Sequence, residues 1–157
     1  MFSNFNFITS RLATGGGPVA TDEIETLLDY GFTHIIDCRT FDDSALFGQY
    51  AGRVLYLYNP AEDDGLPKPV EWFKRSLDFA LPALCTPGLG AAIFRCYAYC
   101  DAGINRGPST AYAILRAWAG IYPNDAKALI RLRRPVDIAG LRYADDADAA
   151  LKVLGFS

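Results

Sequence analysis

Five residues separate Cys100 from Arg106 in the run Cys-Asp-Ala-Gly-Ile-Asn-Arg, and Gly107 and Pro108 follow directly. The run begins where an apolar, tyrosine-rich stretch ends and gives way to a helical pattern. Successive backbone N–H groups in a tight loop make a concave anion site, and the N-terminus of a following helix adds partial positive charge. Gly103 permits backbone torsions closed to other residues. Arg106 can grip two oxygens of a tetrahedral oxyanion with its planar fork. The same positive field favours thiolate over thiol at Cys100, and the thiolate is the nucleophilic form. A sulfur beneath a bound phosphoryl group stands in line for attack. Asp101, Ala102, Gly103, Ile104 and Asn105 are credited with backbone N–H groups, not with their side chains.

Expelling an alkoxide or phenoxide is far easier when its oxygen is protonated in the transition state. Glu62-Asp63-Asp64-Gly65 offers three carboxyls on a loop after the apolar run from Val54 to Tyr58. Asp64 and Asp63 are both candidates for that general acid.

Other chemistries lose weight on residue counts. The chain has one histidine, His34, within a short β-like run where a structural role fits. Mechanisms built on a histidine base or several histidine ligands are therefore disfavoured. Cys38, Cys85, Cys96 and Cys100 form no CxxC pair, so neither a zinc site nor a thioredoxin-type motif is expected. No metal and no cofactor are expected. Cys96 and Cys100 on one strand would lie about 13 Å apart, too far for a disulfide. A reducing compartment fits such cysteine usage.

The 157 residues suit one domain over 1–157, with 51% apolar and 21% charged residues giving an ordinary globular balance. A net charge of −3 gives no pull towards nucleic acid or an anionic membrane. No apolar run approaches the roughly 20 residues of a spanning helix, and the N-terminus lacks signal-peptide character. The expectation is a soluble, cytoplasmic monomer.

The elements that must position Cys100 and Arg106 follow from periodicity. Phe5 to Leu12 reads as a strand or hairpin that Gly15-Gly-Gly-Pro18 ends. Thr21 is the expected cap of a helix with Ile24, Leu27 and Leu28 on one face, stopped by Gly31. Thr33–Cys38, Val54–Tyr58 and Ala91–Tyr99 read as buried strands, with a helix over 70–84 between the last two and a turn at Pro87-Gly88-Leu-Gly90. After Cys100, Pro108 fits the first position of a helix that Gly120 closes. Pro123 opens another helix, stopped by Pro135, and a last one spans Tyr143 to Leu154. Strands alternating with helices predict an α/β fold: a largely parallel sheet of four to five strands with helices on both faces. Ligands in such folds sit beyond the carboxyl ends of the strands, where Cys100 is delivered.

These segments together resemble the cysteine-based protein phosphatases, particularly the small dual-specificity type. Their signature is His-Cys, five residues, Arg, then Ser or Thr. Leu12-Ala-Thr-Gly-Gly and Gly31-Phe-Thr-His-Ile-Ile-Asp-Cys-Arg39 are similar to the family's opening segment. Pro60-Ala-Glu-Asp-Asp-Gly-Leu-Pro67 resembles its general-acid loop, and Arg131-Leu-Arg-Arg-Pro135 the end of its penultimate helix. The resemblance covers nearly the whole chain in the family's order. It implies a phosphatase acting through a phosphocysteine on Cys100, with phosphotyrosine in proteins as the leading substrate and phosphoserine or phosphothreonine beside it. Likeness to the phosphatase of regenerating liver, whose loop also reads Asp-Asp-Gly-x-Pro, selects Asp64 as the acid; counting back from the following helix in other members selects Asp63.

The chain departs from the pattern at two places. Tyr99 replaces the histidine before the nucleophile, and Gly107 replaces the hydroxyl residue that normally helps the sulfur leave. These departures leave room for a phosphopeptide-binding pseudophosphatase. Other members act on inositol phosphates or on RNA 5′ ends; Asn105-Arg106 matches the RNA branch, while the absence of lysine from the loop speaks against polyanions. Cys38 ends a strand expected beside the one ending at Cys100, so oxidation could join the two.

Overall fold

A computed structural model describes residues 2–86, 93–134 and 141–156. Five strands, β1 (Phe5–Thr9), β2 (Leu12–Gly16), β3 (His34–Asp37), β4 (Leu55–Tyr58) and β5 (Cys96–Cys100), form one sheet in the order β1-β2-β5-β3-β4. Only β1 and β2 are antiparallel; the other pairings are parallel. Six helices lie among the described residues: α1 (Thr21–Asp29), α2 (Ser44–Gly48), α3 (Val70–Leu84), α4 (Arg106–Ala119), α5 (Pro123–Arg133) and α6 (Ala144–Val153). The α/β architecture expected from the alternation of strands and helices is present.

The sheet is covered on both faces, which is why β3 and β5 are buried at every residue rather than alternating. On one face Ile24, Leu27 and Leu28 of α1 and Phe47 of α2 pack with Ile35, Tyr97 and Tyr99. On the other, residues of α3 to α6 such as Trp72, Phe73, Leu77, Ile114, Ile130 and Leu151 pack with Ile36, Ala98 and Cys100. Each large side chain buried this way contributes about 1.5–3 kcal/mol.

Several local expectations change. Thr21 is the first helical residue; Ala20 holds the cap position in extended backbone and no side chain caps the helix. Gly31, at φ +86°, does terminate α1 as expected. The run Gly15-Gly16 continues β2 instead of ending the hairpin. Space, not turn formation, explains it: a Cβ on Gly15 would run into the Asn4 carbonyl, and one on Gly16 into the Asn4 amide. Helix α4 starts at Arg106, so Pro108 occupies its first turn but not its first position. The five-residue α2 was too short to show a helical period. Strand β5 begins at Cys96, and residues 93–95 lie outside it; the expected turn at 87–90 and the stop at Pro135 fall outside the described residues.

Candidate active site

Central strand β5 hydrogen-bonds to β2 on one side and β3 on the other, and its last residue is Cys100. The chain turns through residues 101–105 and enters α4 at Arg106. Gly103 sits at φ +72°, and a side chain there would collide with the Gly15 backbone and Arg134. No other residue type fits that position. The Cys100 side chain is buried on the face of α3 to α6, at the carboxyl edge of the sheet.

Arg106 is 6% exposed and anchored from behind. Its Nη1 donates to the Ala61 carbonyl at 2.8 Å and to the Cys38 carbonyl at 3.4 Å. Its Nη2 donates to Asp101 Oδ2 at 3.0 Å, while buried Nε has no protein partner. The Nε and Nη2 edge is the fork that can take two oxygens of an anion. Burial opposes the Arg106 charge, but Asp101, Cys100 and Asp63 outweigh it and hold its pKa above the ordinary value.

The acidic loop is organised by Tyr143, a residue outside every motif read from the sequence. Its hydroxyl donates to Asp63 Oδ1 at 2.7 Å and accepts the Gly65 N–H at 3.0 Å. Asp63 Oδ2 also accepts Asn105 Nδ2 at 3.3 Å, which ties this carboxylate to the 101–105 loop. Arg142 approaches Asp63 at 3.5 Å. Asp64 turns elsewhere, accepting Lys68 Nζ at 2.8 Å and the Leu66 N–H at 3.0 Å. The Lys68 hydrogen bond, helped by that N–H, holds the Asp64 carboxyl below its usual range. Behind the loop, buried Asn59 donates to the Trp72 carbonyl at 2.8 Å and accepts Arg75 Nε at 2.7 Å, pinning the end of β4 to α3.

The two departures now have physical contexts. Tyr99 lies on the opposite face of the sheet from Cys100, as alternation along a strand requires. Its buried phenol meets Arg39 Nη2 at 3.3 Å and Asp43 Oδ2 at 3.4 Å, and the Arg39 guanidinium lies 4.8 Å over its ring. Arg39 also pairs with Asp43 and with Asp37, and Tyr56 donates to Asp37 at 2.6 Å. Tyr99, the residue before Cys100, is thus fixed by a buried polar network on the α1 side. Gly107 allows α4 to press on β5: a Cβ there would lie 3.0 Å from Tyr99 Cα and 3.1 Å from Cys100 N. The nearby hydroxyls each have a further contact. Ser109 Oγ accepts the Tyr143 N–H at 3.2 Å, and Thr110 Oγ1 lies 3.4 Å from Cys38 Sγ.

Cys38 follows β3, and its N–H donates to the Tyr99 carbonyl at 2.9 Å, so it stands beside Cys100 across the β3–β5 pairing. Burial pushes the Cys38 thiol far up, away from thiolate. All four cysteines are free thiols. Among the described residues no cluster of His, Cys, Asp and Glu could hold a metal ion, and no helix is long and apolar enough to cross a membrane.

No family model matches the sequence, and no curated protein matches it. Solved structures do. Human DUSP28 superposes with a TM-score of 0.74 at 17% identity, over 99% of this chain and 97% of that one. The fold is that of the dual-specificity and tyrosine phosphatases. PTPMT1 in complex with PI(5)P has this phosphatase fold at a TM-score of 0.72, 15% identity, and coverage of 97% of this chain and 99% of that one. Human tyrosine phosphatase-like serine/threonine/tyrosine-interacting protein gives 0.72, 17%, 96% and 97% respectively. At these identities the phosphatase fold is what is shared.

Proposed function

We propose that this chain is a phosphatase that hydrolyses phosphate monoesters through a phosphocysteine at Cys100. The observation carrying this reading is Cys100 at the end of the central strand with Arg106 opening the next helix, its Nε unpartnered and its Nη2 held by an exposed Asp101 that an entering oxyanion can replace. In the first step Cys100 Sγ attacks phosphorus, the S–P bond forms, and the P–O bond to the leaving group breaks. Asp63 gives its proton to the departing oxygen. In the second step Asp63, now a carboxylate, takes a proton from water, and that water displaces the sulfur and releases inorganic phosphate. Asp63 is preferred over Asp64 because Asp63 contacts the phosphate loop through Asn105, whereas Asp64 turns to Lys68 and the Leu66 N–H.

Protein phosphotyrosine, with phosphoserine and phosphothreonine beside it, is the substrate class that fits the surroundings best. Asp63 and Asp101 both contact the loop or its arginine, and these carboxylates disfavour polyanions such as inositol polyphosphates and triphosphate ends. A monomer in a reducing, cytoplasmic setting completes the proposal and accords with four free thiols. A second reading, a pseudophosphatase that binds phosphopeptides, is favoured by Tyr99 and Gly107. The deciding experiment is release of phosphate from para-nitrophenyl phosphate and from a panel of phosphopeptides and inositol phosphates. Turnover by wild type that Cys100→Ser and Arg106→Lys abolish supports the enzyme. Phosphopeptide binding without turnover supports the binder, and wild-type-like turnover by Cys100→Ser overturns the assignment of the nucleophile.

A further inference from the structure

Arg134 stands at the end of α5, just beyond its last helical residue, and is 9% exposed. Among the described residues, the hydrogen bonds of its guanidinium lead to the 101–105 loop and to Asn4 and Asn6 of the N-terminal segment. Nε donates to the Gly103 carbonyl at 2.7 Å, and Nη2 to the Ala102 carbonyl at 3.1 Å. Nη2 also reaches Asn4 Oδ1, and Nη1 reaches Asn6 Oδ1, both at 2.9 Å. A third loop carbonyl, that of Ile104, accepts the Leu141 N–H at 3.3 Å. Leu141 makes that contact from a left-handed backbone at φ +64°, an unfavourable conformation for leucine that persists where surroundings impose it.

Peptide planarity gives these bonds a consequence. In a trans peptide the carbonyl of one residue and the N–H of the next point in opposite directions. Drawing the Ala102, Gly103 and Ile104 carbonyls outward therefore turns the N–H groups of Gly103, Ile104 and Asn105 inward, to the side where Cys100 and Arg106 lie. Burial lowers the Arg134 pKa somewhat, yet a guanidinium stays charged and its positive field reaches Cys100.

We propose that Arg134 is a positioning residue for the anion site: it orients the loop N–H groups inward, and Asn4 and Asn6 hold it in place. The inference rests on the phosphatase reading for its ligand, but it concerns the shape of the loop and not the chemistry at sulfur. Two features of the sequence accommodate it. Gly103 lacks the side chain that would push the loop off Gly15 and the Arg134 guanidinium, and Gly15 lacks the one that would push β2 off Asn4, whose side chain holds that guanidinium. The Arg131 to Arg134 run resembled a family segment but gave no hint of which arginine turns inward.

The test is tungstate binding by calorimetry, with steady-state hydrolysis of para-nitrophenyl phosphate and thermal unfolding measured on the same samples. Arg134→Met should weaken tungstate binding by about tenfold to a hundredfold, because several charge-assisted bonds are lost at once. Arg134→Lys should fall between, since an ammonium cannot span both carbonyls as a fork does. KM should rise along with the loss of tungstate affinity. A purely structural role would instead lower the folded fraction and Tm while leaving affinity per folded molecule unchanged. The double variant Asn4→Ala/Asn6→Ala, at accessible positions, keeps Arg134 but frees it, and should weaken tungstate about threefold to tenfold. Folded Arg134→Met with wild-type affinity overturns the proposal. If the Arg134 variants do not fold, unchanged affinity in the asparagine double variant overturns it. Wild type that neither binds tungstate nor turns over would instead count against the phosphatase reading, so the two failures are distinguishable.

Discussion

Asp101 and Arg106 form an ion pair at 3.0 Å in which the carboxylate side chain is 57% exposed and the guanidinium 7%. Asp101 thus occupies one arm of the fork that would take a phosphoryl group. A dianion entering the loop must share or displace that contact. Asp101→Asn should therefore tighten inhibition by inorganic phosphate. An ion pair this exposed is worth up to about 1 kcal/mol, so the gain should be no more than about fivefold. It should be larger for tripolyphosphate and shrink as salt is raised. Unchanged inhibition constants at low ionic strength would show that Asp101 does not compete for Arg106.

The acid can be assigned by leaving-group dependence. Asp63→Asn should slow hydrolysis by about 10²–10⁴ for phenyl phosphate and much less for a good leaving group such as para-nitrophenol. Asp64→Asn should change either rate little, because its carboxylate serves Lys68 and Leu66. A larger, leaving-group-dependent loss in Asp64→Asn would reverse the assignment.

Gly107 links packing to turnover. Ser109 Oγ accepts the Tyr143 N–H and Thr110 lies beside Cys38, so the residue directly after Arg106 brings no hydroxyl of its own to the Cys100 sulfur. Wild type should show a burst of product followed by a slower steady rate in rapid-quench experiments. Gly107→Ser should raise the steady rate by roughly one to two powers of ten, the value of a hydrogen bond to a charged group of about 1.5–3 kcal/mol. The added Cβ presses on Tyr99 and Cys100 backbone, so the same variant should lose about 1–3 kcal/mol of stability. Gly107→Ala should show the stability loss alone. Equal steady rates in folded Gly107→Ser and Gly107→Ala would rule out the hydroxyl effect.

His34, the sole histidine, packs its ring edge-on against Phe79 and Phe94 at 5.2 and 5.7 Å. Burial lowers its pKa from the ordinary 6.5. Below pH 6.5 the unfolded chain therefore binds a proton that the folded chain resists, so stability should fall as pH drops from 6.5 towards the lower folded value. Denaturant unfolding of wild type and His34→Phe from pH 7.5 to 5 should show this loss only in wild type. Parallel curves for the two proteins would assign the acid sensitivity to other groups.

The strand, loop and helix from Cys96 to Arg106 were legible because everything that forms them is local: an apolar run, a glycine at the turn, and a helical period. The parallel sheet followed from alternation. What depended on distant partners was not legible. Tyr143, 80 residues from Asp63, decides which of two adjacent aspartates faces the loop. Gly15 and Gly16 read as punctuation because glycine usually is; their role in letting β1, β2 and the 101–105 loop close on one another exists only in three dimensions. Pro108 suggested a helix start two residues late, since the first turn tolerates proline at more than one place.

Arg134 bonds to Asn4 across 130 positions of sequence and to Ala102 across 32. During synthesis the cysteine emerges well before the arginine that bonds the loop next to it. A nascent chain halted anywhere between residues 107 and 133 carries Cys100 and Arg106 without the guanidinium that bonds the loop carbonyls. On the proposed role of Arg134, anion binding then develops only as α5 closes over β1, and a ribosome-bound intermediate holds a thiol not yet set in its bonded loop.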